Sequence, residues 1–170
     1  MRALVLLAAV ACGPHAAPTP PSGPYFAGDA QGLREVGPDG KTLRVLTATP
    51  VQLWRALPSG DLVFVVRSET LDPVDLRFIA RDGTGERSLL KVERTVICGA
   101  EVDYILAVQT DEDLWITPDG GVCLKLREDV PRAAELENVH RVDPASGRHL
   151  SAFLRAPPGC PAITPRDPCR

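Results

Sequence analysis

Leu33-Arg34-Glu35-Val36-Gly37-Pro38-Asp39-Gly40-Lys41-Thr42-Leu43-Arg44-Val45-Leu46 is the stretch from which the fold can be read. Two short runs rich in Leu and Val flank a Pro-Asp-Gly turn. Proline pre-sets the first turn residue, and glycine supplies the positive φ that a tight hairpin demands. The stretch therefore predicts strand, turn, strand. The same reading applies to residues 76–90 around Asp82-Gly83, and to 139–150 around the 144–147 turn.

Working outward, runs of strand length and composition recur at 42–46, 51–57, 61–67, 74–81, 102–109, 113–117, 121–126, 138–142 and 149–154. Turn signals separate them at 38–41, 58–61, 81–86, 111–113, 118–121 and 144–147. Leu62-Val63-Phe64-Val65-Val66 is apolar on both faces, so this strand is expected to be internal and covered on two sides. The one helix expected is a turn or two at 131–137, with Pro131 in its first turn. The chain reads as all-β.

The Pro38-Asp39-Gly40-Lys41 turn resembles the hairpins of TolB and WD40-like propellers. Asp143-Pro144-Ala145-Ser146-Gly147-Arg148 resembles those of quinoprotein-type propeller repeats. Gly40 and Gly83 lie 43 residues apart, within the blade period of about 40–45 residues. The resemblance implies an antiparallel meander of about three small sheets, like an incomplete β-propeller, because a closed ring needs about four blades or more. A β-sandwich or small barrel is the alternative. An incomplete ring would leave strand edges open to pairing with another chain.

The N-terminus carries a different message. Met1-Arg2 is followed by an apolar run over residues 3–11 and then Cys12. A short basic start before a short apolar run is the pattern of a secretory signal peptide, and the run is too short to span a bilayer, which needs about 20 residues. Ala9-Val10-Ala11-Cys12 resembles the lipobox of bacterial lipoproteins. That resemblance implies removal of residues 1–11, acylation of Cys12 (palmitate among the usual chains) and attachment to a membrane through the lipid. Gly13 in place of the aspartate that retains such proteins in the inner membrane implies the outer membrane. Residues 13–24 hold five prolines (14, 18, 20, 21 and 24). Such a run supports neither helix nor ladder and acts as an extended spacer. The expected organisation is signal peptide 1–11, lipid-anchored proline-rich linker 12–32, all-β domain 33–155 and a Pro/Cys-rich tail 156–170.

Charged residues are 24% and hydrophobic residues 44% of the 170, a globular balance suited to one domain. The net charge of −3 with no basic block points away from nucleic acid. Of the five cysteines, Cys12 is taken by lipid, which leaves Cys98, Cys123, Cys160 and Cys169 for two disulfides. Four cysteines allow three pairings. Neighbouring strand regions favour Cys98–Cys123, and closure of a proline-rich end favours Cys160–Cys169.

Few residues suggest chemistry. If Asp143 pairs with Arg148, His140 and His149 share one face on a diagonal. A metal would need a third ligand, and Asp143 faces away, so solvated hairpin histidines are expected. Asp111, Glu112 and Asp113 lack the spacing of a calcium loop and read as a solvated turn. No G-x-S-x-G elbow or phosphate loop occurs. Trp54, Trp115 and Tyr104 lie in strands and suit packing, or else a stacking platform for glycan or peptide. The expectation is a non-catalytic binding or scaffold module of the cell envelope with no cofactor, engaging another envelope protein or a surface polymer. The alternative is an envelope hydrolase built on hairpin loops from His140, His149 and Asp111–Asp113.

Overall fold

The computed structural model describes residues 22–67, 73–92, 96–97, 100–101, 105–107, 110–129, 136–153 and 169. The turns explain the strands. Gly37, Leu57, Ala80 and Thr117 each donate an N–H to the carbonyl four residues on, at 2.8–2.9 Å. In each turn the glycine three residues on (Gly40, Gly60, Gly83, Gly120) returns an N–H to the first carbonyl. All four glycines hold positive φ, between 78° and 89°, where a side chain would be strained. Asp39, Ser59 and Asp82 then accept from the backbone N–H two residues on, of Lys41, Asp61 and Thr84, while Asp119 accepts from the Thr117 hydroxyl. One local chemistry is thus used four times.

These turns build three antiparallel meanders. The first sheet is β1 (Tyr25–Asp29), β2 (Gly32–Val36) and β3 (Thr42–Thr47). The second is β4 (Val51–Ala56), β5 (Leu62–Val66), β6 (Val74–Ile79) and β7 (Arg87–Val92). A two-stranded ribbon follows, β8 (Val96–Ile97) with β9 (Ala100–Glu101). The third sheet starts with β10 (Ile105–Ala107) and β11 (Leu114–Ile116), which lie end to end along one edge of β12 (Val122–Asp129). It continues with β13 (Leu136–Val142) and β14 (His149–Phe153). The fold is therefore all-β, as expected, and none of these sheets closes into a barrel. Gly40, Gly83 and Gly147, singled out by the look-alike segments, each join the last two strands of successive sheets.

The sheets stack face to face with the second in the middle. Leu62 and Phe64 of β5 point to the first sheet and pack with Leu33, Leu46, Val51 and Ile79. Val63 and Val65 point the other way and join Leu114, Val122, Leu124, Leu126 and Val142 of the third sheet. All four β5 side chains are at most 1% exposed, so the internal strand is where the two-sided apolar pattern put it. Polar links bridge the sheets at their margins. Arg44 donates to the carbonyls of Arg81 and Asp82 at 2.9 and 3.1 Å, and Arg87 donates to that of Pro144 at 2.6 Å.

Three expectations are corrected. β1 lies within the stretch read as linker, because Tyr25-Phe26-Ala27 resumes strand composition directly after Pro24. Leu136 and Glu137, expected to end a short helix, begin β13, since pairing with β12 outweighs local helix propensity; residues 131–135 lie outside the described residues. Cys123 is bonded to Cys169 rather than to Cys98, so Cys169 is not bonded to Cys160. Cys123 lies opposite Arg141 on the face of β12 that does not carry the core residues Val122, Leu124 and Leu126; it is fully buried there, bonded to Cys169. Cys12, Cys98, Cys160 and Tyr104 lie outside the described residues. Among the described residues no helix is long and apolar enough to cross a membrane.

Candidate functional site

The first strands of the sheets converge on one side. β1 lies against β4, and β4 lies beside β11. Gly28 makes the first approach possible: a Cβ there would sit 2.8 Å from Trp54 Cδ1 and 2.9 Å from Val51 Cγ1. Phe26 of β1 meets the Trp54 ring edge-on, with centroids 6.1 Å apart. Trp54 is thus a packing residue with one half-buried flank, not a free stacking platform.

A groove follows this junction. One cavity of about 320 Å³ is lined by Gly28, the run from Gln52 to Ala56, and Asp111. A second of about 470 Å³ is lined by Gly28, Asp29, Val51, Gln52 and Arg67. Five consecutive lining residues belong to one strand, so the cavity runs along the edge of β4 rather than over one face. Gly28 lines both cavities.

The charges in the groove are unequal in freedom. Asp29 is gripped by both terminal nitrogens of Arg34, at 2.9 and 2.6 Å, and this holds its carboxyl below the usual range. Arg55 donates to the carbonyls of Trp54 and Asp111, so its guanidinium has carbonyl partners and no carboxylate among the described residues. The Arg67 side chain is exposed with no carboxylate partner among the described residues. The sequence singled out Trp54 and Asp111 separately, but not the groove that they share. Its walls come from residues 28–29, 51–56, 67 and 111, which meet only through the stacking of sheets.

Asp111, Glu112 and Asp113 form a 3₁₀ turn between β10 and β11. Asp111 and Glu112 are exposed, as expected of a turn, whereas Asp113 is 1% exposed and accepts the Thr110 N–H at 2.8 Å. The buried carboxylate shapes the turn. Among the described residues no three His, Cys, Asp or Glu side chains gather as metal ligands.

The histidines meet as the hairpin register implied. Asp143 pairs with Arg148, His140 is opposite Ser151, and His149 is opposite Val142. His140 Nδ1 lies 3.0 Å from His149 Nε2. The ring centres are 5.2 Å apart and nearly parallel, at 14°. With the nitrogen gap occupying most of that separation, the rings lie end to end and share an N–H···N hydrogen bond rather than a stack. The two facing nitrogens hold one proton between them, leaving no shared vertex for a metal. His140 corrects the expectation of solvated histidines: it is 5% exposed, and its Nε2 is enclosed without a partner. Burial, then the neighbouring His149, pushes its pKa down to about 4.

This pair makes stability depend on pH. His140 is neutral in the fold and takes up a proton near 6.5 when unfolded. The unfolded chain binds more protons between those values, so acidification favours unfolding. The stabilisation is complete above pH 6.5 and is lost as pH falls towards 4, about 3 kcal/mol in all. Asp82, Asp119 and Asp143, held low by the hydroxyls of Thr84, Thr117 and Ser146, act only at still lower pH. Urea unfolding at pH 7 and pH 4.5 tests this. The slope should flatten in His140→Leu, and an equal slope in both proteins would refute the assignment.

No family model, no curated protein and no solved structure matches this chain.

Proposed function

We propose that this protein is a non-catalytic binding module of the bacterial cell envelope. It is anchored by acylated Cys12, held off the membrane by the proline-rich spacer, and engages another envelope protein or a surface polymer. The observation that carries the reading is the groove between β1 and β4. It runs along strand edges, is lined by Gln52, Trp54, Arg55 and Arg67, and suits an extended chain better than a compact small molecule. The lipobox resemblance and the spacer support the anchor and the outer-membrane location. The histidine pair supports the non-catalytic reading: both nitrogens of His140 are engaged or enclosed, so this residue offers no base to a substrate.

Two measurements test it. A fatty-acid analogue should label the wild type and not Cys12→Ser; label surviving that substitution removes the anchor. A photo-crosslinker at Gln52 should capture one envelope component in cells, and a crosslinker at exposed Leu150 should not. Turnover by the purified protein that is abolished by His149→Ala at unchanged stability would make it a hydrolase instead.

A further inference from the structure

The second and third sheets each have four strand positions, the third counting β10 and β11 as one broken strand along β12. In both, a glycine turn joins the first two positions (Gly60, Gly120) and another joins the last two (Gly83, Gly147). The first sheet has three strands, and its Gly40 turn joins the last two. Aligned on those final turns, β1 occupies the second position, and no described residue occupies the first. That place is the edge of β1 turned away from β2, and the groove lies there, with Gly28 in the wall of both cavities.

The chain beside β1 is poorly suited to fill it. The twelve residues at 13–24 include five prolines, which cannot donate to a ladder and are confined to edges and bulges. The unmatched charge of the groove is positive. Asp29 is taken up by Arg34, Arg55 has only carbonyl partners among the described residues, and Arg67 is exposed. Asp111 lies at the far end, beside Arg55.

We infer that the groove receives one extended strand of a partner protein, which adds to the edge of β1 as the missing strand of the first sheet and turns an acidic side chain towards Arg67. The inference rests on the binding-module reading and narrows its partner to a polypeptide. Backbone hydrogen bonds to β1 would supply attachment, and alternate side chains would supply selectivity. Electrostatic matching to Arg67 would act mainly on association rate and choice of partner.

The probe is a fluorescent octapeptide of alternating threonine and glutamate, titrated by anisotropy into the full-length protein purified in detergent, with amide exchange read on the same complex. Saturable binding with new amide protection over residues 25–29 is expected. N-methylation of alternate peptide amides should weaken binding by about tenfold or more, since it removes ladder donors. Arg67→Glu should weaken the glutamate peptide about tenfold and strengthen its threonine–lysine counterpart by a similar factor. Arg67 is exposed at the end of β5, so this variant should fold. Binding that leaves residues 25–29 unprotected, or that ignores N-methylation, overturns the proposal. So does binding of purified envelope polysaccharide at the Gln52 crosslinking site without any peptide binding, an outcome that leaves the broader binding-module reading standing.

Discussion

Phe64→Ala is expected to lower the unfolding free energy by about 4 kcal/mol, the cost of emptying a large aromatic site that cannot collapse. Phe64 is fully buried at the centre of β5 and packs among Leu33, Leu46, Val51, Leu62 and Ile79. That cluster joins the first sheet to the second, so its loss should act on more than one strand. Part of the first sheet should then open below the main transition, seen as a smaller denaturant slope and faster amide exchange over β2 and β3. Trp54→Ala, at a half-buried position on the same interface, should cost less. Chemical denaturation of both variants decides the matter. A loss below about 1.5 kcal/mol for Phe64→Ala would mean that the first sheet is not packed on β5 as described.

The Cys123–Cys169 bridge should have an effect of similar size through a different state of the chain. It joins residues 46 positions apart, so it removes a large amount of freedom from the unfolded ensemble. Loop entropy for that separation corresponds to about 4 kcal/mol. Cys123 is fully buried on β12, with Cys169 brought to it from the end of the chain. The double variant Cys123→Ala/Cys169→Ala should therefore unfold at markedly lower denaturant, while the oxidised wild type resists reduction until it opens. Non-reducing peptide mapping is the prior check. Recovery of a Cys98–Cys123 peptide in place of Cys123–Cys169 would contradict the structure outright.

The two effects show what can be read locally and what cannot. Asp-Gly and Ser-Gly turns are encoded within five residues: the aspartate or serine caps the chain two residues on, and glycine takes the positive φ. The turns at Gly40, Gly83 and Gly147 were therefore legible, as was the all-β class. The internal position of β5 was legible because both of its faces are apolar, and period-two alternation has no other reading there. The diagonal of His140 and His149 followed from hairpin register alone. Their hydrogen bond and the burial of His140 did not, because burial depends on what the second sheet places opposite β13.

The cysteine pairing and the groove lay beyond the sequence for the same reason. Cys169 sits in a tail whose local residues specify no direction, so neither spacing nor propensity marks Cys123 as its partner. β1 was hidden by its own composition, since Gly28 and Asp29 weaken the strand signal that Tyr25 and Phe26 begin. Gly28 is small because Trp54 and Val51 pass within a methyl's reach of it, a fact about residues more than twenty positions away. Hairpins form from neighbours in sequence and are written there. The stacking of sheets, the bridge across 46 residues and the strand-shaped space beside β1 arise from contacts between distant segments, whose geometry is set only when the two apolar faces of β5 are both covered.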